Sequence, residues 1–313
     1  MEATRTGPEK SQNVNDSFMF GNANGAFAFD WYGFVAFMGP ILVTGATGTV
    51  GGSVVRQLSA AGVEVRALTR DPSRAVLPAG VEVVAGSFAE PSSLLPALRG
   101  VSRVHLVSTD GDGPEIMDVL VRAGVERVTH LGHDDPSRSD DDPFESWHRR
   151  YRKAVEASGL AWTHLFPGEF MANTREWIGS VRAESVVRAP FGDWATALVH
   201  EDDIAAIVVK ALLEDGHAGR TYRPTGPEPV VRRDAARLIG EAVGRPVRFE
   251  ELTPDQAREH WRGVYPPEVV EWFLELGGQS DGMGWVSPDV PQVLGRPGRT
   301  YARWTRDHAA EFA

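Results

Sequence analysis

The stretch Ile41-Leu42-Val43-Thr44-Gly45-Ala46-Thr47-Gly48-Thr49-Val50-Gly51-Gly52 decides how the rest of the chain is read. A short apolar run leads into three glycines spaced G-x-x-G-x-x-G. An apolar-periodic segment with Val50, Val54, Val55 and Leu58 follows directly. That order spells strand, tight turn, helix. Gly45 permits the turn, Gly48 lets a ligand approach the backbone, and Gly51 lets the helix pack close to the strand. The helix N-terminus then offers free N–H groups and a positive dipole end to phosphate. The glycine spacing alone is weak evidence, because a purely structural turn can carry it. Its place between a strand and a helix is what gives it weight.

Working outward, the same alternation repeats. Strands are expected at 41–45, 63–68, 81–86, 101–108, 125–132 and 161–166, and helices at 50–61, 91–99, 114–123 and 144–158. The strands are near-continuous Val- and Leu-rich runs, as in parallel sheets buried on both faces. The series implies an α/β fold: a Rossmann-type doubly wound parallel sheet with a smaller C-terminal α/β substrate lobe. Further strands are expected at 195–200 and 221–226, with a helix opening at Asp202-Asp203 between them. A helix over 230–244, a strand over 246–252 and two C-terminal helical stretches complete the chain. The expected division is an N-terminal extension over 1–37 and a dinucleotide-binding domain over 38–168, to which 196–224 return. A substrate-side lobe is expected from 169–195 and 225–313.

Composition sets outer limits. The 313 residues are 42% hydrophobic and 24% charged, with a formal net charge of −11. That acidity disfavours phosphate backbones, so no nucleic-acid partner is expected. The chain has no cysteine, which removes thiolate nucleophiles, disulfides and thiolate metal ligands together. No metal-ligand pattern is seen. No apolar run reaches the ~20 residues of a membrane span, so no membrane partner is expected and the chain reads as cytoplasmic. Residues 1–26 are polar and rich in Gly, Asn and Ser, and 27–38 are strongly aromatic. The aromatic stretch reads either as a leader ahead of a start at Met38 or as a docking segment for self-association.

The second strand ends at Leu68-Thr69-Arg70-Asp71. Arg70 stands 19 residues past Gly51, where dinucleotide sites read the ribose. A guanidinium there favours a 2′-phosphate, hence NADP(H) over NAD(H); Arg74 could add a second cation. The competing reading makes Asp71 the strand-end acid of an NAD site.

The opening motif, together with ALTRDPSRA, GVEVVAGSF, SGLAWTHLFPGEFMAN, HEDDIAAIVVKAL, YRPTGPE and GRPVRF, resembles the NmrA-like NAD(P)-binding proteins of the atypical short-chain dehydrogenase/reductases. The resemblance spans roughly 40–255. It implies that Gly45, Thr47, Gly48, Thr49 and Val50 line the pyrophosphate and that Arg70 meets the 2′-phosphate. It places Ser87 and Phe88 beside the adenine, Ser108 and Thr109 near the ribose, and Pro167 and Gly168 at the nicotinamide. The region 169–195, including Phe170 and Met171, and the C-terminal lobe would wall a small-molecule pocket.

The superfamily's catalytic Tyr-x-x-x-Lys pair and serine are missing. Aligning the helix by its AVEASG end puts Ser146 at the tyrosine position and Arg150 at the lysine position. Arg150 could hold ribose or phosphate but stays charged. His133, just past the fifth strand, is the best substitute acid, with Asp134 to orient it. Tyr151 shares a helical stripe with Trp147 and Val155, as a core or pocket wall. The basic run 148–153 reads as a solvated face. The expected function is NADPH-dependent reduction of a small carbonyl, quinone or activated double bond. The alternatives are an NADP-binding sensor without turnover, or a redox-neutral cyclase or isomerase.

Overall fold

The computed structural model describes residues 39–108, 111–134, 141–278 and 284–313. The N-terminal extension lies outside the described residues, and so does the expectation of self-association through it.

Seven parallel strands form the main sheet: β1 (Ile41–Val43), β2 (Val65–Thr69), β3 (Glu82–Ala85), β4 (Arg103–Val107), β5 (Arg127–Leu131), β6 (Ala161–Leu165) and, later in the chain, β9 (Arg220–Tyr222). Their order is β3-β2-β1-β4-β5-β6-β9. The sequence turns back on itself between β1 and β4. Every residue of β1 is buried, as befits the strand at that reversal. Register is held by in-line pairs such as Val43 with Ala67 on one side and His105 on the other.

On one face, α1 (Thr49–Ala60) packs against α5 (Glu201–Leu213). On the other, α2 (Gly113–Arg122) and α3 (Pro143–Ala157) bury Ile116, Leu120, Tyr151 and Val155 against Leu106 and Val128. Burial of such side chains, at about 25 cal/mol per Å² of apolar surface, is what fixes these helices on the sheet.

The chain leaves the sheet after β6. A 3-10 turn (Met171–Trp177), α4 (Ile178–Glu184) and β7 (Val186–Ala189) precede β8 (Ala195–Thr196). β10 (Val230–Val231) pairs antiparallel with β8, and β11 (Arg248–Glu251) runs parallel to β7. Between them α6 (Arg232–Val243) packs on a second core that includes Met171, Trp177, Val187, Ile239 and Trp304. A third, smaller core joins α7 (Pro254–His260) to α8 (Pro267–Gly278) through Ala257, Trp261, Val270 and Leu274.

Several local expectations change. The helix expected over 91–99 is a 3-10 turn over Pro91–Leu94 followed by further turns. Pro91 and Pro96 lack N–H donors, and the Ser93 hydroxyl bonds the Ser87 backbone instead of supporting a helix. The strand expected over 195–200 contracts to Ala195–Thr196. Helix α5 opens one residue earlier than expected, because the His200 ring caps it by accepting from the Asp202 N–H at 3.0 Å. The acids thought to cap it serve elsewhere. Asp202 binds Ser53 and Arg56, and buried Asp203 pairs with Arg296 and Arg299. In place of two C-terminal stretches, the described residues form α7, α8, α9 (Asp289–Leu294), α10 (Tyr301–Asp307) and α11 (Ala309–Phe312). Pro266, Pro267, Pro288 and Pro297 divide them.

Candidate active site

The glycine turn has the geometry its spacing demands. Gly45 takes φ +58°, a left-handed conformation. Its carbonyl accepts from the Gly48 N–H at 2.9 Å. A Cβ at Gly51 would lie 2.1 Å from that same carbonyl oxygen, so only glycine lets α1 sit this close to β1. Thr44 anchors the turn by accepting from the Val107 N–H at 2.9 Å. Gly48 is the N-cap of α1, with no capping side chain and no acid in the first turn. Thr47, Gly48 and Thr49 are exposed, and Val50 is buried beneath them. The result is an exposed helix N-terminus with unclaimed N–H groups, which is the donor set a pyrophosphate needs.

Arg70 is exposed just past β2 and has no hydrogen-bond or ion-pair partner among the described residues. Asp71, the rival strand-end acid, is already engaged: Oδ1 accepts from the Ser73 N–H at 3.0 Å and from its hydroxyl. At the next strand end, Ser87 is tied to Ser93 and Ala89. Phe88 differs from the expectation. Its ring is buried in the core with Leu68 and Leu94, so it presents no open face to a base. Ser108 directly follows β4, with its hydroxyl donating to the Leu131 carbonyl at 3.3 Å. Thr109 lies outside the described residues.

Beyond the carboxyl ends of β5 and β6 lies a cavity of about 650 Å³, within the range of small-ligand sites. Its floor comes from the ends of these strands. Gly132 donates to the Leu165 carbonyl, and Gly168 to that of Pro224, so the loops after β5, β6 and β9 are laced together. Its roof is aromatic and distant in sequence: Trp272 and Phe273 of α8, with Trp285. Phe166, Pro167 and Phe170 line it from the loop after β6. Phe170 therefore stands where it was expected. Met171 does not; it is 0% exposed in the second core, because the chain turns inward at the start of the 3-10 turn.

Tyr151 is also displaced from the pocket. It is 1% exposed, stacked on His130 at 5.3 Å within the core between α3 and the sheet. A full helical stripe with Trp147 and Val155 drew it inward. Arg150 points elsewhere: its guanidinium lies 2.9 Å from the Asp112 carboxylate and lines a separate groove with Pro114, Ser146 and Lys153.

His133 lines the cavity. Its partner is Glu145 rather than Asp134: Nε2 lies 2.8 Å from Glu145 Oε1, and Glu145 is fully buried in the first turn of α3. Asp142 caps that turn by accepting from the Phe144 and Glu145 N–H groups. Asp134 is held instead by Arg152 and Arg223. His148 lies 5.5 Å from the His133 ring; burial, with the neighbouring imidazole, pulls it down to about 4. Glu169, in the loop after β6, also lines the cavity and is partly buried. Burial raises its carboxyl above the ordinary range, against the opposing effects of Arg232 and the Thr196 hydroxyl.

Sequence reasoning missed Glu145 and Arg223, and took in Glu169 only as part of the pocket-wall region 169–195. Glu145 reads as a routine first-turn acid, and only the fold sets it against His133. Glu169 follows Pro167-Gly168, a position already assigned to the site, and that adjacency was the usable signal. Among the described residues no helix is long and apolar enough to cross a membrane, and no group of three or more His, Asp or Glu is placed to hold a metal.

Residues 39–276 match the model of the NmrA-like family. The chain is 40% identical over 280 residues to a (4-alkanoyl-5-oxo-2,5-dihydrofuran-3-yl)methyl phosphate reductase of Streptomyces griseus, covering 87% of this chain and 99% of that one. It is 34% identical over 287 residues to an NAD(P)H azoreductase of Xenophilus azovorans, covering 87% and 99%. Among solved structures, the Citrobacter sp. triphenylmethane reductase complexed with NADP(H) superposes with a TM-score of 0.72 at 22% identity, covering 86% of this chain and 99% of that one. The fold, the glycine turn and these matches agree, and the chain belongs to the NmrA-like family.

Proposed function

We propose that this protein is an NADPH-dependent reductase of a small conjugated organic molecule. The observation that carries the reading is the pairing of an uncapped glycine turn with an aromatic-lined cavity at the ends of β5 and β6. The residues fit the cofactor. The N-terminus of α1 would take the pyrophosphate, and Arg70, free of a described partner, would take the 2′-phosphate. Pro167 and Gly168 would border the nicotinamide, and Ser108 would meet the adjoining ribose. When bound, NADPH supplies the hydride.

The chain supplies the rest. Trp272, Phe273 and Phe166 exclude water and sandwich a flat substrate. Glu145 orients the His133 ring through the 2.8 Å contact at Nε2, so that His133 can pass a proton to the reduced product at the cavity wall. The relatives in Streptomyces griseus and Xenophilus azovorans are both named as reductases, which supports the same class of chemistry here. The expected division into a dinucleotide-binding part and a substrate-side part is retained within this proposal.

Titrating the protein with NADPH and NADH while following tryptophan fluorescence tests the first half; saturable quenching selective for NADPH is expected. Loss of reduced-nicotinamide absorbance with a quinone, an azo dye or an unsaturated lactone tests the second. Binding without oxidation of any acceptor would instead indicate a sensor, and turnover without net oxidation a redox-neutral enzyme.

A further inference from the structure

Arg223 belongs by its main chain to the cavity wall after β6. The Phe166 N–H donates to the Tyr222 carbonyl at 2.9 Å, and the Gly168 N–H to the Pro224 carbonyl at 3.0 Å. Arg223 sits between these two rungs, beside the residues proposed to border the nicotinamide. Its own N–H is taken by the Asp289 carboxylate at the start of α9. Its guanidinium lies over the Phe166 ring, 5.5 Å from the ring centre. Nothing in the reading above uses this side chain.

From that seat the side chain reaches the loop after β5. Nη1 donates to the Asp134 carbonyl at 3.1 Å, and Nη2 pairs with the Asp134 carboxylate. Asp134 directly follows His133, and His133, Asp134 and Arg223 all line the cavity. Two further holds on this loop come from α3. Glu145 meets the His133 ring at 2.8 Å, and Arg152 takes the other carboxylate oxygen of Asp134. The Asp134 side chain is 6% exposed. With a guanidinium on each oxygen it is a charge-assisted junction of fixed geometry. The holds from α3 alone would let the His133 loop follow that helix. Arg223 ties the same loop to the wall after β6.

Resting on the reductase reading, we propose that Arg223 is a positioning residue: through Asp134 it holds His133 in a set relation to the wall that borders the nicotinamide. The reason is geometric. A hydride donor and a proton donor serve one bound substrate only if both reach it in the same pose, and a misplacement of about 1 Å can cost about a hundredfold in rate. The two donors here stand on different loops, one after β5 and one after β6. Arg223 is riveted to the second and grips the residue next to His133 on the first. The residue type suits the task, because a flat guanidinium can lie on an aromatic ring and donate from two nitrogens at once, which an ammonium cannot. An arginine in a cavity can also meet an anionic arm of a substrate. Here both Nη atoms are already spent on Asp134, which favours the positioning role.

The test is a double-mutant cycle of Arg223→Ala with His133→Ala, run on whichever acceptor the wild type reduces. Arg223→Ala should lower kcat by about tenfold to a hundredfold, the range expected for a displaced donor, with KM and NADPH quenching nearly unchanged. Arg223→Lys, which keeps the charge without the flat two-nitrogen grip, should recover only part of the loss. The decisive protein is the double variant. If Arg223 acts through His133, it should be no slower than His133→Ala alone. Arg152 stays on Asp134 in every variant, so the carboxylate keeps a counter-charge and the fold should persist. If Arg223→Ala nonetheless fails to fold, Asp134→Asn takes its place in the cycle with the same expectation. Losses that multiply in the double variant would overturn the assignment, and so would full kcat in Arg223→Ala. A raised KM at unchanged kcat would overturn it in favour of direct contact with substrate. Full kcat in His133→Ala would overturn it while leaving the reductase reading standing. NADPH binding with no turnover of any acceptor by wild type would overturn both.

Discussion

The two halves of the site are built on different principles. The proposed phosphate side is backbone: one turn of eight residues, three glycines and a helix end. The proposed substrate side is made of side chains gathered from six separated segments, around residues 133, 169, 196, 223, 272 and 285. The first tolerates almost no change in shape, because its working groups are N–H donors fixed by φ and ψ. The second can change its chemistry one side chain at a time.

The comparison predicts that damage on the phosphate side is steric and total. Gly51→Val places carbon where the Gly45 carbonyl already sits, 2.1 Å away. Overpacking of this kind costs about 1–3 kcal/mol or more. NADPH quenching should vanish and the melting temperature should fall. Gly48→Ala, whose Cβ would stand 3.2 Å from the same oxygen, should be milder. Equal behaviour of the two would break the argument that the turn is fixed by close packing.

On the substrate side the expected effects are chemical and graded. Glu145→Gln replaces the carboxylate 2.8 Å from His133 Nε2 with a neutral amide that orients the ring less firmly. We expect kcat to fall about a hundredfold, the scale of general acid catalysis, with unchanged NADPH binding. If His133→Ala and Glu145→Gln both keep full kcat, the proton comes from water. The smallest effect returns to the phosphate side. Arg70→Ala removes one charge-assisted contact worth about 1.5–3 kcal/mol, so NADPH affinity should drop about tenfold to a hundredfold and NADH affinity should hold. Parallel losses for both cofactors in the titration would sharpen the contrast the other way, making Arg70 a structural residue.

What could be read in advance follows the same line. The sheet, α1, α2 and α3 were legible because burial imposes local periodicity on a contiguous stretch, and the turn because glycine is required where φ is +58° or a carbonyl lies 2.1 Å from a missing Cβ. The segment 91–99 misled because its apolar spacing is helical while Pro91 and Pro96 withhold two donors. Tyr151 misled because a helical stripe says that a face is buried but not whether it meets a core or a cavity. Glu145 and Trp272 were illegible for a different reason: each matters only through a neighbour far along the chain, and no local period encodes that.

Phe273 of the cavity roof packs on the small core of Ala257, Trp261, Val270 and Leu274, which is distinct from the two larger cores. Trp272 and Phe273 therefore ride on an element whose packing makes few demands on the sheet. A lineage could exchange α7 and α8 between paralogues, or let them drift, and so try new substrates without disturbing the machinery beneath. In that sense the roof is the part of the molecule most open to innovation, and a chimera carrying the roof of a relative is the natural way to move a preference from one member to another.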